Sequence, residues 1–176
     1  MGLVCLLGRH GSGKSTVGAG LITHGYQHTS VGMLRRLAQA SQFPSDVPAA
    51  LMMAMRRERA GTAMSAPTAK KLIDYATKAP QTVLDGFPSC VDHIALLPHD
   101  TVFCVLWTPS RLRLQRLEHR SETTKRLWTP GLHSEREATL PVLLSTLRRT
   151  RRCIFVSNDS TPAAAVTEML EKLAGT

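Results

Sequence analysis

Short apolar runs alternate with longer stretches of mixed character along this chain. Runs of strand length fall at 3–7, 82–84, 101–107 and 153–156, with a shorter fifth candidate at 27–29. The segments between them carry helical spacing. Leu34, Leu37 and Ala38 share one face, as do Leu140, Leu143, Leu144 and Leu147, and Ala165, Val166, Met169, Leu170 and Leu173 form a stripe near the C-terminus. Val17, Leu21 and Ile22 predict an amphipathic helix after the first run. Strands alternating with helices imply βαβ units, so the expectation is an α/β fold with a central parallel five-stranded sheet and helices on both faces. The apolar continuity of the strands fits a sheet covered on both sides. Two stretches break the rhythm. Residues 41–50 (SQFPSDVPAA) hold two prolines and read as a loop, and 121–134 (SETTKRLWTPGLHS) read as a loop or short flap.

Length and composition bound the class. The 176 residues suit one domain spanning 1–176, and 43% apolar with 20% charged residues describe an ordinary globular chain. No apolar run approaches the roughly 18 residues of a membrane span. With no leader-like segment at the start, the expectation is a cytoplasmic protein that does not engage a membrane. Cys5, Cys90, Cys104 and Cys153 form no CxxC pair, and three of them lie in strand-like runs, which points to reduced, hydrophobe-like thiols rather than a zinc site.

Charge adds more. The net charge is +9, and between Arg111 and Arg152 eleven Arg or Lys face four Glu. A polyanion such as nucleic acid is one reading of this excess, and a cluster aimed at small phosphates is the other. Sixteen of the 22 basic residues are arginine, the residue suited to forked oxyanion recognition. Arg148, Arg149, Arg151 and Arg152 end a predicted helix, where cations complement the dipole, and are expected at the surface.

The sharpest chemical signal is Gly8-x-x-x-x-Gly13-Lys14-Ser15, placed between the first strand and the helix after it. Glycines at 8, 11 and 13 let successive backbone N–H groups converge on phosphates, and the helix adds its positive end. Arg9, His10 and Ser12 would contribute mainly their backbone. Lys14 reaches the β- and γ-phosphates, and the Ser15 hydroxyl is placed for Mg²⁺, with Thr16 following. Downstream, TVLDGFP at 82–88 ends a strand with Asp85-Gly86; the carboxylate there can hold a Mg²⁺-bound water, and Asp-Gly is also simply a turn.

Several further segments resemble the adenylate kinase-like nucleoside monophosphate kinases. HTSVGMLRR at 28–36 is similar to the family's H-L-S-x-G-D-L-L-R, GTAMSAPTAKKLI from Gly61 to its G-x-L-V-P stretch, and DGFPS at 85–89 to D-G-[FY]-P-R. LQRLEHRSETTKR at 114–126 resembles the arginine-bearing entry to a lid, and VSNDST at 156–161 its asparagine-containing adenine loop. The resemblance implies a P-loop kinase fold of the short-lid type, using ATP and Mg²⁺ to phosphorylate a small nucleotide acceptor as a monomer. It implies an acceptor-binding helical region at 30–60 and a short lid at 120–136. Residues 8 to 16 and Asn158 would bind ATP. Lys14, Arg120, Arg126 and Arg136 would be catalytic, and Ser15 and Asp85 would face the metal. The acceptor would meet Ser30, Gly32, Arg36, Gly61 and Met64, then Asp85, Gly86, Phe87 and His93.

The acceptor side departs from the pattern. The arginine after D-G-F-P is Ser89 here, Val31 and Met33 replace a threonine and an acidic residue, and His93 stands near the adenine-reading glutamine. An acidic pair after the last lid arginine is replaced by Leu127, Trp128 and Thr129. Arg35 is a candidate to stand in for the missing arginine, and His93 on its own reads more readily as a helix-surface histidine than as a base reader. Two alternatives stay open: a small-molecule kinase of the shikimate or gluconate kind, against which stands His28-Thr29-Ser30 where those enzymes place an aspartate, and an ATP-binding sensor or partner-binding module without acceptor activity. Under any transferase reading, Lys14→Ala and Arg126→Ala are each expected to lower turnover by orders of magnitude. Near-wild-type rates in a steady-state assay would remove that residue from the chemistry.

Overall fold

The structure, a computed structural model, describes residues 2–59, 61–124 and 130–175, with the side chains of 124–136 outside that description. Five parallel strands form one sheet in the order β2-β3-β1-β4-β5. They are β1 (Leu3–Leu7), β2 (Gln27–Ser30), β3 (Thr82–Asp85), β4 (Val102–Trp107) and β5 (Cys153–Ser157). All five lie where the apolar pattern placed them, within a residue or two. β1 is central, pairing Leu6 with Asp85 on one side and Leu6 with Cys104 on the other. After β1 the chain moves to the edge strand β2, and after β3 it crosses to β4 on the other side of β1. The crevice at the C-terminal ends of β1, β3 and β4 is therefore a topological switch point, where open α/β sheets hold ligands.

Seven α-helices are described: α1 (Lys14–Gly20), α2 (Val31–Gln39), α3 (Ala49–Arg57), α4 (Ala66–Ala76), α5 (Ser110–Thr124), α6 (Pro130–Thr150) and α7 (Pro162–Ala174). Alternation along β1 divides the core in two. Leu3, Cys5 and Leu7 pack with Leu34, Met52, Leu72 and Leu147 from α2, α3, α4 and α6, whereas Val4 and Leu6 pack with Val17, Val166 and Met169 from α1 and α7. Side chains such as Phe103 and Leu6 are fully buried, each worth about 1.5–3 kcal/mol of transfer free energy. Burial pushes the Cys5 thiol far up and that of Cys104 up to about 12, so both behave as inert core atoms. Among the described residues no helix is long and apolar enough to cross a membrane.

Three local expectations are corrected. The stretch 121–134 is not a plain loop: α5 runs to Thr124 and α6 starts at Pro130, with 125–129 outside the described residues. Ser121 and Thr123 ride on helix by bonding back to it, Ser121 Oγ donating to the Glu118 carbonyl (2.7 Å) and Thr123 Oγ1 to the His119 carbonyl (2.9 Å), and proline suits a first helical position. The helix after the phosphate loop is shorter than its apolar spacing suggests, because Leu21–His24 tighten into a 3₁₀ turn and leave Ile22 exposed. The loop at 41–50 gives way to α3 at Ala49.

The contact of α1 with β2 contains an unusual histidine. A Cβ on Gly18 would lie 2.5 Å from the His28 ring, so the glycine is what allows the imidazole to lie flat against the helix. His28 Nε2 is buried with no hydrogen-bond partner. Burial lowers the pKa of His28 below its ordinary 6.5, with Asp85 opposing. The unfolded chain therefore binds this proton more readily, and stability falls as pH drops through that ordinary value. His28→Leu is expected to flatten the decline of Tm from about pH 7 to about 5. Parallel wild-type and variant melting curves across that range would exclude His28 as the responsible group.

Candidate functional site

Residues 8–13 join β1 to α1, and side-chain donors hold the carbonyls of Gly8, Arg9, His10 and Ser12. Lys14 Nζ donates to Gly8 O (2.8 Å) and Arg9 O (3.0 Å), and Arg113 Nη1 to His10 O (2.9 Å). Ser12 O accepts from Asn158 Nδ2 (2.8 Å) and Thr108 Oγ1 (3.3 Å). A glycine-bearing turn whose carbonyls are engaged in this way suits anion binding by its backbone N–H groups, of which Ser12 N–H donates to Arg9 O (3.2 Å) and His10 N–H to Glu137 Oε1 (3.0 Å). Gly11 and Gly13 make this possible, with φ of 78° and 87°. A Cβ at Gly11 would come within 2.7 Å of Arg113 O, and one at Gly13 within 2.2 Å of Asn158 Nδ2. Burial pushes the Lys14 ammonium below its ordinary pKa, while the Asp85 and Glu137 carboxylates oppose that shift.

A second polar centre lies beside the loop. Asp85, 4% exposed at the tip of β3, accepts from Ser15 Oγ at 2.5 Å and from Ser30 Oγ at 3.2 Å through the same Oδ2. Ser15 and Asp85 offer the hard oxygen donors that Mg²⁺ prefers. Among the described residues no group of three or more His, Cys, Asp or Glu could hold a metal, so Mg²⁺ would need phosphate and water to complete its shell. On the far wall, Arg116 and Arg120 of α5 line the cavity. Arg116 Nη2 donates to Asn158 O (3.1 Å), and its buried Nη1 makes no hydrogen bond. An inward cradle, a paired hydroxyl and carboxylate, and an unsatisfied guanidinium N–H together fit a Mg²⁺-triphosphate. The cavity they enclose is about 820 Å³, room for two small ligands.

Most residues expected at the site do line this cavity. They include Gly8, Arg9, His10, Gly11 and Gly13, then Lys14, Ser15 and Thr16 on the loop side. Ser30, Gly32, Arg36, Gly61, Met64 and Gly86 form the opposite side with Asp85. Four stand off it. Ser12 is 1% exposed beneath the loop, and Asn158 is turned onto the Ser12 carbonyl, a positioning contact rather than a wall of an adenine pocket. Phe87 is fully buried and stacks on His93, with ring centroids 4.8 Å apart. His93 is 2% exposed, so it is neither a base reader nor a surface histidine. Its Nδ1 faces the Ser89 amide at 3.3 Å and so accepts, which leaves the proton on Nε2 to be donated to Met64 O at 2.8 Å. Ser89 Oγ in turn lies 3.5 Å from the Met64 amide. Arg35 bridges Thr62 O and Arg59 O, each at 2.9 Å, and so holds the 59–62 loop. Arg126 and the side chain of Arg136 lie outside the described residues.

Several site residues escaped the sequence reading: Thr108, Arg113, Arg116 and Glu137. Arg113, Arg116 and Arg120 stand at i, i+3 and i+7, one helix face, so their common aim was legible in the spacing. Glu137 carried no such signal. Much of the remaining positive charge is engaged within the fold. Arg151 donates to Pro98 O and Ile94 O, Arg152 reaches the last turn of α7, and Arg148 lies 4.7 Å from the Phe155 ring centroid.

No protein-family model and no curated protein sequence matches the chain. Among solved structures it is similar to a gluconokinase from Sinorhizobium meliloti 1021, with a TM-score of 0.65 and 19% identity over 99% of this chain and 92% of that one. It is also similar to a sugar kinase from Janibacter sp. HTCC2649, with a TM-score of 0.65 and 17% identity over 99% and 95%. The fold is therefore the P-loop kinase fold. These neighbours do not carry the finer resemblance to adenylate kinase-like enzymes. Because Asn158 fills the space a side chain at position 13 would need, Gly13→Ala is expected to abolish binding of MgATP in titration calorimetry and to lower Tm. Binding within a few-fold of wild type would show that the loop tolerates a shift there.

Proposed function

We propose that the protein is a MgATP-dependent phosphotransferase acting on a small hydroxylated acid of the gluconate kind. The observation that carries this choice is the network of Met64, Ser89 and His93. At the positions where a nucleoside monophosphate kinase would clamp a phosphate and read a base, this chain has a serine and a histidine turned toward each other and toward the Met64 backbone. The fold shared with a gluconokinase and a sugar kinase supports the same acceptor class.

The loop amides and Lys14 would hold the donor's phosphates, with Arg116 and Arg120 across from them. Mg²⁺, held by Ser15 and Asp85, would neutralise the bridging phosphate charge. Arg36, on the opposite wall, would pair with the acceptor's carboxylate. The acceptor hydroxyl oxygen bonds to the γ-phosphorus as the bond to the β-bridging oxygen breaks. ADP would leave carrying that bridging oxygen, and the hydroxyl proton would pass late to water or a phosphoryl oxygen. Such a loose transition state asks for positioning and charge neutralisation more than for a strong base, so His28-Thr29-Ser30 in place of the aspartate of shikimate- or gluconate-type kinases is compatible with transfer. Residues 120–136 would act as the lid that excludes water.

A second reading, transfer to a nucleoside monophosphate, is favoured by Arg36 and Gly32 of the HTSVGMLRR segment lining the cavity. A coupled ADP-release assay with gluconate, other aldonates, shikimate and a panel of ribo- and deoxymonophosphates separates them. Release that depends on an aldonate is expected. Release that depends only on a monophosphate would overturn the proposal in favour of the second reading. A silent panel with MgATP binding intact would leave a nucleotide-binding module without transfer.

A further inference from the structure

α6 carries one carboxylate into the phosphate loop. Glu137 Oε1 accepts from the His10 backbone N–H at 3.0 Å and from Arg113 Nη1 at 3.0 Å, and the same Nη1 donates to His10 O at 2.9 Å. A carboxylate oxygen thus rests on a loop amide and a guanidinium, the two donors a phosphate oxygen would use at this place. Arg113 is 8% exposed, and a buried guanidinium stripped of its anion is strongly unfavourable. Glu137 can therefore leave readily only in exchange for another anion.

A second feature acts on the same turn. Pro141 lies inside α6, and it has no N–H to donate to the carbonyl of Glu137, four residues earlier. The helix is weakest at the turn that bears the carboxylate.

We propose that Glu137 is a latch on the phosphate loop, holding the His10 amide and the Arg113 guanidinium until a phosphate of the bound triphosphate takes its place. Filling the loop then frees the turn of α6 that carries Glu137, which couples donor binding to movement of the wall above the acceptor. This inference rests on the triphosphate reading of the site. A latch and a simple brace differ in sign: removing a brace weakens ligand binding, whereas removing a competitor strengthens it.

The test measures binding of inorganic tripolyphosphate and MgATP by titration calorimetry, with thermal melting, for wild type, Glu137→Gln and Glu137→Ala. A loop latched about nine-tenths of the time weakens apparent affinity about tenfold. Both variants should therefore bind tripolyphosphate about tenfold more tightly while melting at a lower temperature without it. The glutamine keeps the shape and an acceptor for the His10 amide, so it carries the test alone if the alanine variant does not fold. Unchanged or weaker binding in the folded variants overturns the latch and makes Glu137 a brace. If wild type and variants bind neither ligand, the triphosphate reading itself fails, and the latch with it.

Discussion

The site depends on one constraint: the carbonyls along the loop 8–13 need donors of their own, so that they do not oppose an anion held there. A buried carbonyl facing the crevice would repel phosphate, and one facing nothing would be costly. The molecule meets this by bringing a donor from each surrounding element. Lys14 comes from α1, Thr108 from the connection after β4, Arg113 from α5 and Asn158 from the end of β5. The sheet order matters because it places the ends of β4 and β5 on the flank of β1 where these donors are needed. The glycines are necessary for the loop, but they do not hold it in place.

The other flank of β1 is organised by hydroxyls rather than cations. Asp85 is nearly buried, yet its charge is met by Ser15 and Ser30. Farther out, Ser89 and His93 join the connection after β3 to the Met64 backbone, and Arg35 holds the 59–62 loop. Both acceptor-side segments are fastened to each other by neutral or backbone-directed bonds. A wall built this way is shaped by its own internal bonds, and Arg36 lines the cavity beside it. That is a different division of labour from a site in which an arginine after D-G-F-P grips a phosphate.

The fold was legible because parallel strands covered on both faces must be apolar throughout, and this shows in one dimension as runs at regular intervals. Helical stripes were equally legible where they face the core, as for Leu143, Leu147, Val166 and Met169. The reading failed where polarity was taken for irregularity. Residues 121–123 are polar yet stand on the last turn of α5, where a local side-chain bond such as that of Ser121 to the Glu118 carbonyl sustains helix. It also failed at His93 and Phe87, which are buried with their rings stacked on each other, His93 lying in the 3₁₀ turn Val91–Leu96 after β3.

The sequence by itself marked residues 8–15, between the first strand and first helix, as a candidate phosphate loop, because glycine spacing and the adjacent Lys-Ser are local requirements of that chemistry. It also determined the α/β class, since hydrophobic periodicity is a local property. Only the tertiary structure decided which side chains serve the loop from a distance and which motif residues are withdrawn from the cavity. Arg113, Thr108, Asn158 and Glu137 are separated from the loop by about 100 residues or more of chain, and no pattern along the sequence reports a carbonyl's need for a donor. Hydrogen-bond satisfaction is settled in three dimensions, once the strands are ordered, and it assigned His93 and Asn158 to support rather than contact.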